Sequence, residues 1–380
     1  MMRYWQRVRF WVGLGLCLGI GVGASIFVQT RWLTSGDFRH GLWSPSYLLT
    51  HGMNPYGMGA PMQVVPSVWM PMIIGLWFPL GWLDSYEAAN LWLLVNVVCA
   101  VVIVWLCWRV ARASLAVFTI LLIAIFLFPP LLSHLMMGQL GVMVTLLYLL
   151  SAYLVKRGLF LPSGVLVAVA LTKPQLSVLA LPGLLIGLYY FGKRKAVLGF
   201  VVVCLAAILW LTIPLWLANS AWLNDMLAIA QQTPTWLQPT LFRMLQIQMG
   251  EWGLALWLMW AIVLFGINLA AWMKLDPPVA MCASLALTVL MSPYLWSWDF
   301  VLLIPAIVYV FSAVRRHAAR ALIALGYAVA WGLMVTIRWT TDNSDERYWW
   351  LPICLLAILV AGYVVQFFQT HTRGVEAKRW

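Results

Sequence analysis

The sequence predicts an all-α integral membrane protein, a polytopic bundle of about twelve transmembrane helices forming one membrane domain over 1–380. Three observations carry this. Of the 380 residues, 64% are hydrophobic and 9% charged, whereas soluble domains run near half apolar and about a quarter charged. The apolar residues come in repeated runs of roughly 15–25, the length that crosses a bilayer as helix. The runs are continuous rather than alternating, which excludes a β-barrel and leaves helices as the way to satisfy the backbone in lipid.

Each element follows from local pattern. Residues 10–28 form an apolar run behind Arg3, Arg7 and Arg9. The run is long for a secretory leader and reads as an uncleaved first span. Residues 29–85 form the first large extracytoplasmic loop, where Trp43, Tyr47, Leu48 and Leu49 among polar groups suggest helices lying in the membrane interface. Within it, 66–83 is apolar enough to span, but Pro71 and Pro79 suit a broken helix at the outer surface. Spans follow at 86–108, 115–133 and 140–155. The run from Leu159 to Phe191 is too long for one helix and is interrupted by Lys173-Pro174, so it reads as a hairpin of 159–172 and 175–191 with Lys173 near its outer tip. After a span at 196–218, residues 219–251 form the second large outer loop, with helical stripes from Trp222 and from Leu241. Five more spans, 252–272, 278–292, 300–314, 321–337 and 349–368, complete the chain.

The formal net charge is +12, and its distribution gives its meaning. With this topology, seventeen of the 23 Lys and Arg residues lie on the side of the N-terminus, and nine of the 11 acidic residues lie opposite. That is the positive-inside bias, with both termini cytoplasmic. The basic excess therefore marks orientation and not a nucleic-acid partner. Making 66–83 a span would invert every later loop and abolish the bias. The six cysteines fall inside apolar segments with no metal-binding spacing and read as packing residues.

No internal repeat is visible and no span has a carboxylate at its middle, so chemistry concentrates on the outer face. A charge surrounded by membrane sequence is expensive unless it sits in water or does work. Asp37, a lone carboxylate just after the first span, is the leading candidate. By composition alone, both large loops read equally as amphipathic connectors.

Along the chain stand, in order, SGDF (35–38), HGMNPYG (51–57), WFPLGWLDSYEAANLWLLVN (77–96), GQLGVMVTLLYLLSAYLVKRG (138–158), GVLVAVALTKPQ (164–175) and SPYLWSWDFVLLIPA (292–306). In these pieces and their order the chain resembles the bacterial polyprenyl-phosphate-sugar-dependent transferases of glycosyltransferase family 87. The chain departs from the family at Val65-Pro66-Ser67, often Tyr-Pro-Pro-like, and at Trp298, often His or Tyr. The resemblance implies a GT-C fold in the bacterial inner membrane with an extracytoplasmic active site. It further implies transfer of a hexose or pentose, mannose-like, from a polyprenyl-phosphate donor to a lipid or glycan acceptor, with inversion. The visible absence of a nucleotide-binding motif agrees with a lipid-linked donor.

Such a reaction needs a base for the acceptor hydroxyl and positive charge or donors for the departing phosphate. The family places its catalytic aspartate in the loop that holds Asp37, which is otherwise a solvated loop carboxylate. Lys173 is the candidate phosphate binder, or else a snorkelling interfacial lysine. Gln139 is placed to bond sugar or phosphate, or simply begins a helix. Asp299 is placed to orient the sugar or pair with Lys173, or sits at a helix N-terminus for its dipole. Arg39, Arg243 and Arg338 are further phosphate candidates because guanidinium binds phosphate in a forked geometry. His40 and Trp296 are candidate substrate contacts, with Trp43 and Trp296 able to stack on a sugar face. No cofactor is required; a divalent metal held by Asp37, His40 and His51 is conceivable, without a specific spacing. The rival classes are a transporter or flippase of a lipid-linked molecule and a non-catalytic membrane scaffold.

Overall fold

The computed structural model describes residues 36–60, 69–231, 237–341 and 344–376, with side chains to 365. The expected first span at 10–28, the start of the 29–85 loop and its 61–68 stretch lie outside the described residues. Among the described residues every regular element is helical.

The chain enters through a helical turn, Gly36–Phe38, a π-helical segment, Arg39–Trp43, and helix α1, Ser44–Thr50. Phe38 is fully buried and stacks on Trp92 at 5.8 Å, and the Trp43 indole donates to Leu83 O (3.0 Å). These contacts fold the first loop onto the bundle. The 66–83 stretch becomes a short helix, α2 (Pro71–Trp77), followed by a 3-10 turn, Phe78–Trp82, that begins at the residue before Pro79. This is the broken shape that the two prolines suggested.

Helix α3, Ser85–Ala111, is capped by Asp84, whose carboxylate accepts from Tyr86 N (2.7 Å) and Glu87 N (3.0 Å). Helices α4 (Leu115–Phe126) and α5 (Pro129–Met137) meet at a 58° bend, because Pro129 and Pro130 cannot continue the preceding ladder. Helices α6 (Gly141–Lys156) and α7 (Phe160–Ala170) pack against each other, and α7 ends shortly before Lys173-Pro174. Helix α8, Ala180–Ala218, joins the expected 175–191 and 196–218 spans end to end. Their separation survives as a break at Lys193, the first of three consecutive basic residues, where φ is 61°.

The second large loop carries α9 (Trp222–Ala230) and α10 (Leu241–Met249). Then come α11 (Glu251–Lys274), α12 (Pro277–Met291), a 3-10 turn (Ser297–Leu303), α13 (Ile304–Ala313), α14 (His317–Thr340) and α15 (Leu351–Glu376).

Five of these segments are long and apolar enough to cross a membrane, or six if the bent pair α4–α5 counts as one. A spanning helix needs about 20 residues, and α6, α7, α12 and α13 have 16, 11, 15 and 10. The protein is thus a polytopic helical membrane protein in which several expected spans are shorter than a bilayer. Exposed Leu198, Val202, Leu209, Trp210, Ile262 and Val263 suit a lipid-facing surface. Inside, α3, α6 and α12 pack with α7, α8 and α13 around fully buried Trp92, Tyr148, Trp272 and Phe300. A buried polar tie holds the α8 entry. Asn268 donates to Leu179 O (3.0 Å), Ser284 donates to Asn268 (2.6 Å), and the Trp272 indole donates to Ser284 (2.8 Å). Interhelical bonds of this kind fix helices where hydrophobicity cannot.

Candidate active site

Two short helical turns and two helix breaks place the site. Asp37 lies in the Gly36–Phe38 turn that the Phe38–Trp92 stack pins down. Gln139 follows Gly138, whose φ of 68° ends α5 in a left-handed cap; the Trp92 indole donates to that glycine's carbonyl at 2.7 Å. Lys173 precedes Pro174, which drives it out of helical conformation (φ −128°, ψ 77°). Asp299 sits in the first turn of the Ser297–Leu303 helix, where its carboxylate accepts from Trp296 N (3.2 Å).

These four side chains form one continuous hydrogen-bonded chain. The Gln139 amide nitrogen donates to Asp37 Oδ2, and its oxygen accepts from Lys173 Nζ at 3.1 Å. Lys173 Nζ also pairs with Asp299 Oδ1 at 2.5 Å. Gln139 and Lys173 are nearly buried and Asp299 wholly so. A buried ion pair tolerates this only because further hydrogen bonds satisfy both partners. The pair leaves one Asp299 oxygen for the Trp296 amide and two Lys173 hydrogens, one of which goes to Gln139.

Burial pushes the Asp37 carboxyl above its ordinary range, against the opposing pull of the Gln139 bond, Lys173 and His40. Beneath this layer the fully buried His134 receives a hydrogen bond from Val142 N (3.3 Å) and lies 3.2 Å from Asn96 Oδ1.

Asp37, Gln139 and Lys173 line a cavity of about 800 Å³. His40 and Trp296, both expected substrate contacts, line it too. The three expected arginines do not. Arg39 is buried with its guanidinium 4.6 Å from the Tyr86 ring centroid. Arg243 donates to Gln246 on its own helix at 3.2 Å. Arg338 lines a separate, smaller cavity. Trp43 is buried and bonded to Leu83 O. His51 is exposed, with its ring stacked on Tyr47 at 4.1 Å and Nδ1 2.8 Å from Tyr47 O. Among the described residues no three His, Cys, Asp or Glu side chains group as a metal site.

Several cavity residues went unread in the sequence. Asp345 is the chief one: its two carboxylate oxygens accept from Ser297 N (2.9 Å) and from Ser297 Oγ. Burial raises its pKa, opposed by those two bonds. Trp298, stacked on Trp296 at 5.1 Å, and Tyr294 also line the cavity. The available signal was that Asp345 shares the outer side of the membrane with the late motif in the expected topology. Among the described lining residues Lys173 is the one Lys or Arg, against Asp37, Asp345 and Glu346. Carboxylates and indoles together suit a hydroxyl-rich ring, whose edges need acceptors and whose faces need apolar surface.

No curated protein and no solved structure matches the chain. The sequence model of glycosyltransferase family 87 matches residues 70–293, which include Gln139 and Lys173 and stop short of Asp37 and Asp299 at either end. That match covers more than half of the chain, and the protein belongs to glycosyltransferase family 87.

Proposed function

We propose that the protein transfers a sugar, mannose-like among hexoses or pentoses, from a polyprenyl-phosphate donor to a hydroxyl of a lipid or glycan acceptor at the extracytoplasmic face of a bacterial inner membrane. The fold is then of the GT-C type, and the short helices complete a path of about twelve crossings. The observation that carries this is the Asp37–Gln139–Lys173–Asp299 chain, whose first three members line the large cavity with Asp299 buried behind them.

Asp37 takes the proton of the acceptor hydroxyl as its oxygen attacks the anomeric carbon. The bond from that carbon to the phosphate oxygen breaks, and the polyprenyl phosphate leaves with the electron pair. Direct displacement inverts the anomeric centre. Lys173 stabilises the charge that grows on the leaving phosphate. Gln139 bonds to both Asp37 and Lys173 and so fixes base and cation relative to each other. Asp299 pairs with Lys173 and holds its ammonium group in place within the buried site. The carboxylate-rich lining supports a single phosphate contact, at Lys173, with the rest of the cavity left to sugar hydroxyls.

The test is transfer from a radiolabelled polyprenyl-phosphate mannose by purified protein. Asp37→Asn keeps size and removes the proton acceptor, so turnover falls by about 10²–10⁴ while donor binding persists. Lys173→Ala weakens donor binding and turnover together. It also strands the buried Asp299 carboxylate at a cost of about 3–5 kcal/mol, so each variant is assayed below its own melting transition. Full turnover by Asp37→Asn removes the base assignment, and absence of transfer by wild type favours the transporter class.

A further inference from the structure

A second cavity, of about 230 Å³, lies beside the large one and shares Trp298 and Asp345 with it. Ser133 of α5, Ser297, Arg338 of α14 and Tyr348 supply the rest of its polar lining, set among apolar Pro129, Met136, Met137, Met334 and Val335. Its volume is below the roughly 300–1,000 Å³ of a pocket for a drug-sized ligand and suits one ring.

Its chemistry narrows the occupant. Hydroxyls of Ser133, Ser297 and Tyr348, the Arg338 guanidinium and the Asp345 carboxylate mix donors with acceptors. An anion alone would face Asp345, and an apolar group would leave the Arg338 guanidinium and the Trp298 indole N–H unused. A ring hydroxyl both donates and accepts, so a polyol uses both kinds. Asp345 has spent one bond per oxygen on Ser297, about half of its accepting capacity. The Trp298 indole N–H is buried without a hydrogen-bond partner, a donor costly to leave unused.

We propose that the small cavity is a subsite for a sugar or polyol ring of the acceptor, with Asp345 holding its hydroxyls at the wall that both cavities share. This rests on the glycosyl-transfer reading and adds where the acceptor sits. The donor phosphate then keeps Lys173, and the acceptor approaches Asp37 from the side of Trp298. The two substrates therefore have separate determinants.

The probes are methyl α-mannoside, methyl α-glucoside and methyl α-arabinofuranoside, titrated into the purified full chain with intrinsic tryptophan fluorescence as readout. At least one is expected to bind wild type saturably. Ser133→Leu fills the small cavity from a partly exposed helix position and is expected to weaken that binding by about tenfold or more. Asp345→Asn weakens it as well, and Lys173→Gln leaves it within about twofold. Thermal melting confirms that each variant is folded; Ser133→Leu keeps the test decisive if Asp345→Asn is not. Wild-type affinity in Ser133→Leu overturns the proposal. So does loss of binding in Lys173→Gln alone, which assigns the ring to the large cavity, and so does the absence of binding by wild type. Glycoside binding with the expected pattern but no transfer from a lipid-linked donor overturns instead the catalytic reading on which the subsite rests.

Discussion

Asp37 shows how one residue's environment sets its chemistry. Desolvation dominates and lifts its pKa above the ordinary 3.8, while the Gln139 bond, Lys173 and His40 pull it back and Asp299 adds like-charge repulsion. A base with a raised pKa holds an abstracted proton more firmly, provided that it stays ionised at working pH. The sign follows: activity is lost as pH falls through the raised value. The acid limb of kcat/KM is therefore expected above the usual carboxylate range. Gln139→Leu removes a bond that favours the ionised form, so the limb moves higher still. A pH–rate profile that stays at the ordinary carboxylate value, or moves down in that variant, sinks the assignment. Asp37, Lys173, Gln139 and Asp299 were legible as residue types in unusual places. Arg39 and Arg243 were equally conspicuous, yet they stack on Tyr86 or bond within a helix. Local sequence cannot separate these cases, because a cation near a membrane boundary looks the same whether it meets a ring, a neighbour or a cavity.

Elements succeed here through their ends and their close approaches. Pro174 and the left-handed Gly138 break helical structure at the points where Lys173 and Gln139 must leave the helical path. Helix α2 packs directly on α8, and a Cβ at Gly75 would overlap the Leu211 carbonyl. Backbone cannot yield as a flexible side chain does, so Gly75→Ala is expected to destabilise by about 1–3 kcal/mol. Gly332→Ala is the control: its Cβ would meet nothing within 4 Å, and removing a helical glycine stabilises by roughly 0.5–1 kcal/mol. Melting temperatures in detergent that rank these two variants the other way would refute the packing of α2 on α8. The break at Lys173-Pro174 was legible from one proline between basic flanks. The bend between α4 and α5 was not, since Pro129-Pro130 fall inside a single apolar run that length alone reads as one span.

Across the molecule, the charge asymmetry and the short helices together define a topology that can be measured. If 66–83 stays on the outer side, Met58 faces outside and Lys156 faces the cytoplasm. Met58 is 58% exposed, and the Lys156 side chain is 46% exposed in its pairing with Asp276. Cysteines placed at these two positions, in a background without the native six, are expected to react with an impermeant maleimide from opposite sides. Labelling of both from one side would mean that 66–83 crosses.

Membrane class and family membership were written in the linear chain, because hydropathy is a sum over neighbours in sequence and the motifs are contiguous. The site was not. Asp37 and Gln139 lie 102 residues apart, and Lys173 and Asp299 lie 126 apart. A hydrogen bond acts over about 3 Å of space and leaves no trace along the chain. The docking of Asp345 onto Ser297, and the diversion of three arginines away from the large cavity, follow from how helices of unequal length pack. Packing chose among charges that the sequence alone presents as equals.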